Sequence, residues 1–322
     1  MSRASGWHTR PERGSALGMR ITVACYRWLG RGLARLLVVP IVAYFFLTDS
    51  AGRRASLAYL RRVAATPEGA AALGGEPGLR HVFRHYFEFG LAILDRVGFW
   101  FGDPESFELR VHGGEELERV HQEKRGALVL GSHLGSFDAM RLLAALHSPI
   151  TVHVLMYTRH AARINAIFEE LRALRPSDPR VRVIQIEPGG VAHVLEARAC
   201  VGRGEVVAVL ADRVPPSESH RVARVRFLGG SVELPQGPFL LAGLLGCPVL
   251  LMVGLRRGSG VYEIHVERLS DGMDLSRDRR AAAVTEHCQL FADRIAAWCL
   301  HAPYQWFNFH DFWKEYDAGV RH

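Results

Sequence analysis

The segment 126–146, GALVLGSHLGSFDAMRLLAAL, constrains the fold most, because its hydrophobic period changes within a few residues. Residues 127–130 form a short apolar run opened by a glycine, which is typical of a buried strand. Apolar residues then recur at helical spacing over 137–146. The segment therefore predicts a strand, a turn and a helix in succession, a unit from which α/β folds are built.

The turn of this segment carries polar side chains that can do chemistry. Ser136 is placed to cap the helix, and Asp138 in the first turn complements the positive end of the helix dipole. His133 and Asp138 would lie about 140° apart on a continuous helix. If His133 lies in the loop instead, the chain can fold back so that the carboxylate reaches one imidazole nitrogen. Such a pair predicts a general base, although a His followed by an Asp also arises by chance.

Strands and helices alternate along most of the chain. Strands are predicted at 107–112, 150–156, 181–186, 206–210 and 247–252, and helices at 51–63, 79–100, 115–124, 161–174, 191–201 and 279–300. A further apolar helix is predicted after residue 239, ending at 245. This order predicts an α/β fold with a mixed, largely parallel sheet flanked by helices. Binding sites in such sheets gather at the carboxyl ends of strands. His133, residues 157–160 and Asp212 each follow a predicted strand, so we expect them at one edge.

Positive charge is concentrated at the N-terminus. Eleven of the 40 basic residues fall within the first 62 positions, where Glu12 and Asp49 are the only acids out of 33. The remaining chain is close to neutral, which argues against a nucleic-acid-binding surface spread over the fold. A basic segment beside an apolar run instead indicates contact with anionic lipid. We expect a membrane-associating segment at 1–50 and a catalytic domain at 51–322.

The apolar run at 36–47 is twelve residues long, whereas a membrane-spanning helix needs about twenty. Extension toward the N-terminus adds Arg31 and Arg35, and Pro40 is expected to kink the helix. No convincing cleavage site for a signal peptide is present. The pattern favours an interfacial or shallowly inserted anchor. An amphipathic helix packed on the domain is the second interpretation, and a transmembrane span is the third.

Several common sites lack their sequence signatures. The five cysteines show no CxxC spacing, and their odd number favours a reducing compartment. His81, His85 and Glu88 share one helix face, but without a further ligand at suitable spacing a polar face is favoured over a metal site. No P-loop, GxGxxG, HExxH or GxSxG motif occurs. We therefore expect no metal and no cofactor.

The motifs from His133 onward resemble those of a known family. The His-x4-Asp spacing resembles the motif of the glycerolipid acyltransferase superfamily, and the surrounding sequence resembles its lipid A biosynthesis (lauroyl/myristoyl) branch. Ala211-Asp212-Arg213 after a strand, Arg159 in a basic turn before a helix, and the closing Gln-Trp-Phe at 305–307 follow that branch in order. The next residues, Asn-Phe-His-Asp-Phe-Trp, depart from its His-Arg-Arg-like run and resemble a bacterial branch associated with aryl-polyene-type lipids.

The resemblance implies an enzyme, an acyltransferase at the cytoplasmic face of the inner membrane. It would move an acyl group from an acyl carrier protein or coenzyme A thioester to a hydroxyl of a lipid or glycolipid acceptor. His133 would act as general base and Asp138 would orient it. Alternative activities are transfer to lysophospholipid or aryl-polyene lipid rather than lipid A, hydrolysis, and non-catalytic lipid binding at the membrane.

The resemblance also implies substrate-binding residues around this base. These are Arg159, Asp212, Arg213 and Gly135. An arginine of this set could bind phosphate or polarise the thioester carbonyl, and backbone N–H groups near Gly135 could stabilise an oxyanion. The alternative for Asp212 and Arg213 is a surface ion pair, which contributes little to stability.

Overall fold

A computed structural model describes residues 16–101, 106–147, 150–156, 181–187, 189–215 and 220–313. Its helices are α1 (Ala16–Thr48), α2 (Ser50–Ala64), α3 (Pro67–Leu73), α4 (Leu79–Phe101), α5 (Glu115–Glu123), α6 (Phe137–His147), α7 (Ala192–Gly202), α8 (Gly237–Leu245) and α9 (Arg280–His301). Its strands are β1 (Glu108–His112), β2 (Ala127–Gly131), β3 (Val152–Met156), β4 (Val181–Gln185), β5 (Val206–Leu210), β6 (Val222–Phe227), β7 (Gly230–Pro235), β8 (Val249–Arg256) and β9 (Val261–Ser270).

Seven strands form one sheet in the order β1-β9-β8-β2-β5-β3-β4. The five strands from β8 to β4 are mutually parallel, and β9 joins them through an antiparallel pairing with β8. β1 pairs in parallel with β9, and β6 and β7 form a separate antiparallel hairpin. The predicted α/β fold with a mixed, largely parallel sheet is therefore confirmed.

The sheet is covered by helices on both faces, as parallel sheets require. In β2, Leu128 and Leu130 pack into the larger core, while Ala127 and Val129 pack into a second core with residues of α6. Alternate side chains of a strand point to opposite faces, so β2 belongs to both cores and is the centre of the domain. The catalytic segment identified in the sequence thus begins from one of the most buried strands.

Helix α1 is interrupted at Gly30, where φ is +73°, and continues through Pro40. A glycine adopts this left-handed conformation without the strain that a Cβ would add. The helix thus breaks at Gly30, ten residues before the Pro40 at which the sequence predicts a kink. By length and composition, the part Gly30–Thr48 could cross a membrane, and it is the one such helix among the described residues.

One face of α1 packs on α4, and the opposite face is exposed. Val38 and Val42 lie so close to Gly90 that any Cβ there would collide with them. The buried positions 34, 38 and 42 recur at helical spacing on this contact face. The exposed apolar side chains of α1 include Trp28, Leu33, Leu36, Tyr44 and Leu47. A helix that is apolar on both faces suits contact with both protein and lipid.

Most elements expected from periodicity are present within a residue or two, although β8 extends four residues beyond its predicted end at 252. The helix expected at 161–174 lies outside the described residues. Helix α3 lies in a stretch that the sequence treats as a Gly/Pro-rich connection. Thr66 accepts a hydrogen bond from the Gly69 N–H, Pro67 opens the helix, and Gly74 ends it in a left-handed conformation. These are ordinary helix boundary signals that an overall Gly/Pro content conceals.

Candidate active site

The parallel register of β2 and β5 brings His133 and Asp212 together. Gly131 pairs with Leu210 at the ends of these strands, and each functional side chain follows two residues later. The expectation that both residues lie at one edge of the sheet, beyond the carboxyl ends of strands, is confirmed. Arg159 and the other residues at 157–160 lie outside the described residues.

Asp212 holds the imidazole of His133 in one orientation. His133 Nδ1 lies 2.7 Å from Asp212 Oδ1, and the His133 backbone N–H donates to Oδ2 over 2.9 Å. The side-chain amide of Asn308 donates to the same Oδ2 over 3.3 Å. Because the carboxylate is an acceptor, Nδ1 carries the proton and Nε2 is the basic nitrogen. No described side chain bonds to Nε2, and the His133 side chain is 26% exposed.

The electrostatic surroundings favour a neutral imidazole and an ionised carboxylate. Burial and the Arg213 cation lower the pKa of His133 below its ordinary 6.5, and together they outweigh Asp212. Burial acts to raise the pKa of Asp212, but His133 and Arg213 outweigh it and hold that pKa below its usual range. At neutral pH, Nε2 is therefore unprotonated and can accept a proton.

Asp138 does not hold His133 Nδ1, so the local pairing expected from the sequence spacing is wrong. Its Oδ2 lies 2.9 Å from Arg96 Nε on α4, and its Oδ1 lies 3.7 Å from Arg141 on the next turn of α6. The first turn of α6 faces α4, which directs the carboxylate away from the loop. The Ser136 cap is confirmed, since its hydroxyl accepts from the Ala139 N–H.

The backbone of residues 132–136, which we call the histidine loop, has no N–H left for an oxyanion over 133–136. Leu134 N–H donates to Ser132 Oγ, Gly135 N–H to the Gln305 carbonyl, and Ser136 N–H to the Gly254 carbonyl. The predicted donor role of the Gly135 region is therefore not met. Gly135 instead permits close packing, because its φ is +72° and a Cβ would lie 2.1 Å from the Gly254 oxygen.

Arg213 joins the dyad to residues 304–308, which we call the closing segment. Its Nε donates to Asn308 Oδ1 over 2.8 Å, and its Nη2 donates to the Phe307 carbonyl over 2.9 Å. The Phe307 N–H in turn donates to the His133 carbonyl over 2.8 Å. Asp212 is 2% exposed, so the surface ion pair is excluded. Burial lowers the pKa of Arg213 to about 10, and it remains charged at neutral pH.

Asn308 and His85 support the site, although the sequence predicts no role in it for either residue. Asn308 contacts both Asp212 and Arg213, and it occupies the position where the sequence departs from the resembling family. His85 is fully buried on α4, where its Nε2–H donates to the Trp306 carbonyl and its Nδ1 accepts from Ser56. Only the tertiary structure reveals these roles, because their partners are distant in sequence.

The shared face of His81, His85 and Glu88 is explained without a metal. Glu88 pairs with Arg256 at 2.6 Å, and both histidines are buried, so the polar face that the sequence favours packs inside the protein. Two other clusters in the described residues have ligand atoms close enough to hold an ion: His112 with Glu263 and His265, and His153 with Cys200 and Glu205. Arginine side chains already pair with Glu263 and Glu205.

A small apolar cavity lies between α6 and the sheet. Phe137, Met140 and Leu143 of α6 line one side of it, and Val129 and Ala208 line the other. Its walls are almost entirely apolar, as a hydrocarbon chain requires. Helix α8 packs into the core, so burial in the core explains its apolar sequence.

Comparisons with known proteins give a single result. The model of the bacterial lipid A biosynthesis acyltransferase family matches residues 18–315. No curated protein matches the chain. The matched range includes α1, the histidine loop and the closing segment.

Proposed function

Because the chain belongs to the bacterial lipid A biosynthesis acyltransferase family, we propose that it transfers an acyl group from a thioester to a hydroxyl of a lipid or glycolipid acceptor. The observation that carries the proposal is the His133–Asp212 pair, with Nδ1 bonded at 2.7 Å and Nε2 left free. A base fixed in this tautomer suits the deprotonation of a hydroxyl during attack on an acyl carbon.

His133 is the general base of the proposed reaction. Its Nε2 takes the hydroxyl proton as the acceptor oxygen forms a bond to the thioester carbonyl carbon. The resulting tetrahedral intermediate collapses with cleavage of the C–S bond, and the leaving thiolate takes the proton back from the imidazolium. Asp212 stays ionised throughout and stabilises the imidazolium through Nδ1. No covalent acyl-enzyme is needed.

Positive charge beside the dyad supports the oxyanion of the intermediate. Arg213 is charged and close enough to lower the pKa of His133. Preorganised charge of this kind is worth several kcal/mol in a site from which water is excluded. Arg159 keeps its predicted substrate-binding role. We propose a positioning role for Asp138, which anchors the start of α6 to α4 through Arg96.

The proposed reaction takes place at the cytoplasmic face of the inner membrane. The family is membrane-associated, and the exposed apolar side chains of α1 supply a surface for lipid contact. The five cysteines are free, and those at 200, 247, 288 and 299 are buried. Free thiols suit the reducing cytoplasm, which also supplies acyl carrier protein and coenzyme A thioesters as donors.

The test is acyl transfer by the purified full-length protein, its His133→Ala variant and a matched His121→Ala control on the exposed side of α5. Each is incubated with lipid extract and labelled acyl carrier protein thioester or acyl-coenzyme A, and products are followed by mass spectrometry. We expect a new acylated lipid from the unmodified protein and the control, and a loss of at least about a thousandfold in His133→Ala. Equal activity of His133→Ala would refute the proposed base. Release of free fatty acid without an acylated lipid would indicate a hydrolase.

A further inference from the structure

A polar cleft of about 320 Å³ lies at the start of α4, apart from the dyad. It is lined by Leu73, Arg80, His81, Arg84 and Tyr304, and we call it the arginine cleft. Its wall therefore combines two cations, an imidazole and a phenol, without an acidic side chain. The proposed acyl-transfer mechanism assigns no role to these residues.

His81 contributes a buried hydrogen-bond donor that has no partner. Its Nδ1 accepts from the Gly78 backbone N–H over 3.0 Å, so in the neutral ring the proton lies on Nε2. Nε2 has no hydrogen-bond partner, although His81 is only 5% exposed. Buried polar groups in native proteins are nearly always paired. An acceptor atom in the cleft would satisfy this N–H.

Two arginines make the cleft strongly cationic. Arg80 and Arg84 lie one helical turn apart on α4, and both are exposed. Neither forms an ion pair with a described residue, and Arg84 stacks on the Tyr304 ring at 4.3 Å. The N-terminus of α4 adds the partial positive charge of the helix dipole. A guanidinium pair, an N–H and a helix N-terminus together match the phosphate group better than any other common biological ligand.

The position of the arginine cleft fits a lipid head group. Tyr86, five residues beyond His81, donates to Asp49 at the end of α1, so the cleft lies near the end of the candidate span Gly30–Thr48. His81 and Phe89 are separated by about 12 Å along α4. The Phe89 ring lies 5.3 Å from Phe307, which bonds to the histidine loop. The cleft is thus within the reach of one lipid molecule from His133.

We propose that the arginine cleft binds the phosphate group in the head of the lipid acceptor. This inference rests on the proposed function, in that it names the part of the acceptor that the enzyme holds while His133 acts on a hydroxyl. Binding energy from the remote phosphate would position the hydroxyl at Nε2 without taking part in the chemistry.

The first test measures binding without turnover. Calorimetry with the full-length protein in detergent compares short-chain phosphatidic acid, short-chain diacylglycerol and inorganic phosphate. The variant Arg80→Ala/Arg84→Ala is set against Arg54→Ala/Arg61→Ala, which removes two exposed arginines of α2 that do not line the cleft. We expect phosphatidic acid to bind the unmodified protein and the control alike, and about tenfold or more weaker to the cleft variant. His81→Gln, with its melting temperature checked, should weaken binding in the same direction.

Any of four outcomes of this test would overturn the proposal. They are unchanged binding in the cleft variant, equal loss of binding in both double variants, binding of diacylglycerol as tight as that of phosphatidic acid, and binding of inorganic phosphate as tight as that of the phospholipid. The last would indicate a site for free phosphate.

The second test measures transfer kinetics. We expect the cleft variant to raise KM for a phosphate-bearing acceptor about tenfold, with kcat and the donor KM changed less than about twofold. A rise confined to the donor KM would overturn the assignment to the acceptor. The two tests fail separately. A protein that binds phosphatidic acid but transfers nothing would refute the proposed function and keep the cleft, whereas normal transfer with unchanged binding in the cleft variant would refute the cleft alone.

Discussion

Two carboxylates near the histidine loop, Asp212 and Asp138, have different structural roles. Asp212, after β5, accepts from the imidazole, from the His133 backbone and from Asn308. Asp138, in the first turn of α6, pairs with Arg96 and Arg141. Both side chains are buried and both are aspartates, so their functions differ only through their partners. One fixes a proton on Nδ1, and the other joins two helices.

The difference shows that strand register, and not sequence spacing, orients the base. Asp212 is 79 residues from His133, yet the pairing of β2 with β5 places the two side chains at equivalent positions beyond the strand ends. Asp138 is five residues away and points toward α4. Tertiary contacts therefore decide the partner of Asp138, because the first turn of a helix can face either side of the loop that precedes it.

Substitution of Asp212 should produce the largest loss of activity. A small loss would contradict the difference in function between Asp212 and Asp138. Asp212→Asn keeps the shape but can donate to Nδ1, which would move the imidazole proton to Nε2 and remove the base. We expect kcat to fall by about 10³ to 10⁴, with KM for the donor little changed. Asp138→Asn should lower kcat less than about tenfold. Steady-state kinetics measure kcat of both variants, and circular dichroism verifies their folding. A larger loss of kcat in Asp138→Asn than in Asp212→Asn would assign the orienting role to Asp138.

The pH dependence of kcat/KM tests the electrostatic role of the Asp212 region. The base must be neutral, so kcat/KM should be level above pH 6.5 and fall on acidification through the lowered pKa of His133. The Arg213 cation lowers this pKa, so Arg213→Gln should move the acid limb to higher pH. Titration of the His133 ring by NMR gives the same pKa directly. A limb that stays in place in Arg213→Gln would show that the cation does not reach the imidazole.

Local patterns sufficed for most of the fold. The apolar run of β2, the Ser136 cap and the period of α6 are encoded within the segment that forms them, and the alternation of elements predicts a parallel sheet. The position of His133 and Asp212 at one edge of the sheet also follows, because parallel strands end at a common edge. These features need no knowledge of side-chain packing.

The remaining contacts depend on packing between distant segments. The pairing of Asp138 with Arg96 requires the position of α4 relative to α6, which no periodicity contains. The use of the Gly135 N–H by Gln305 requires the closing segment to return beside the histidine loop. Helix α3 escaped prediction for a simpler reason, since a helix of seven residues gives a weak periodic signal. Strand β9 does carry a signal in the sequence, because its buried residues Tyr262, Ile264 and Val266 alternate with polar ones, as in a half-buried strand.

The smallest expected effect concerns the Asp138 region and is one of stability. In a double-mutant cycle of Asp138→Asn and Arg96→Gln, we expect a coupling free energy of about 1–2 kcal/mol, because the carboxylate is buried and a lone buried charge is costly. The exposed pair Arg110 with Glu108 serves as control, and its coupling should be much smaller because solvent screens both charges. Denaturant unfolding measures both cycles.

If Arg96→Gln alone also lowers kcat by a few-fold, while the double variant is no slower than Asp138→Asn, the helix anchor acts on the base through the position of α6. Equal coupling in the two pairs would instead mean that the contact between Asp138 and Arg96 does not anchor α6 to α4.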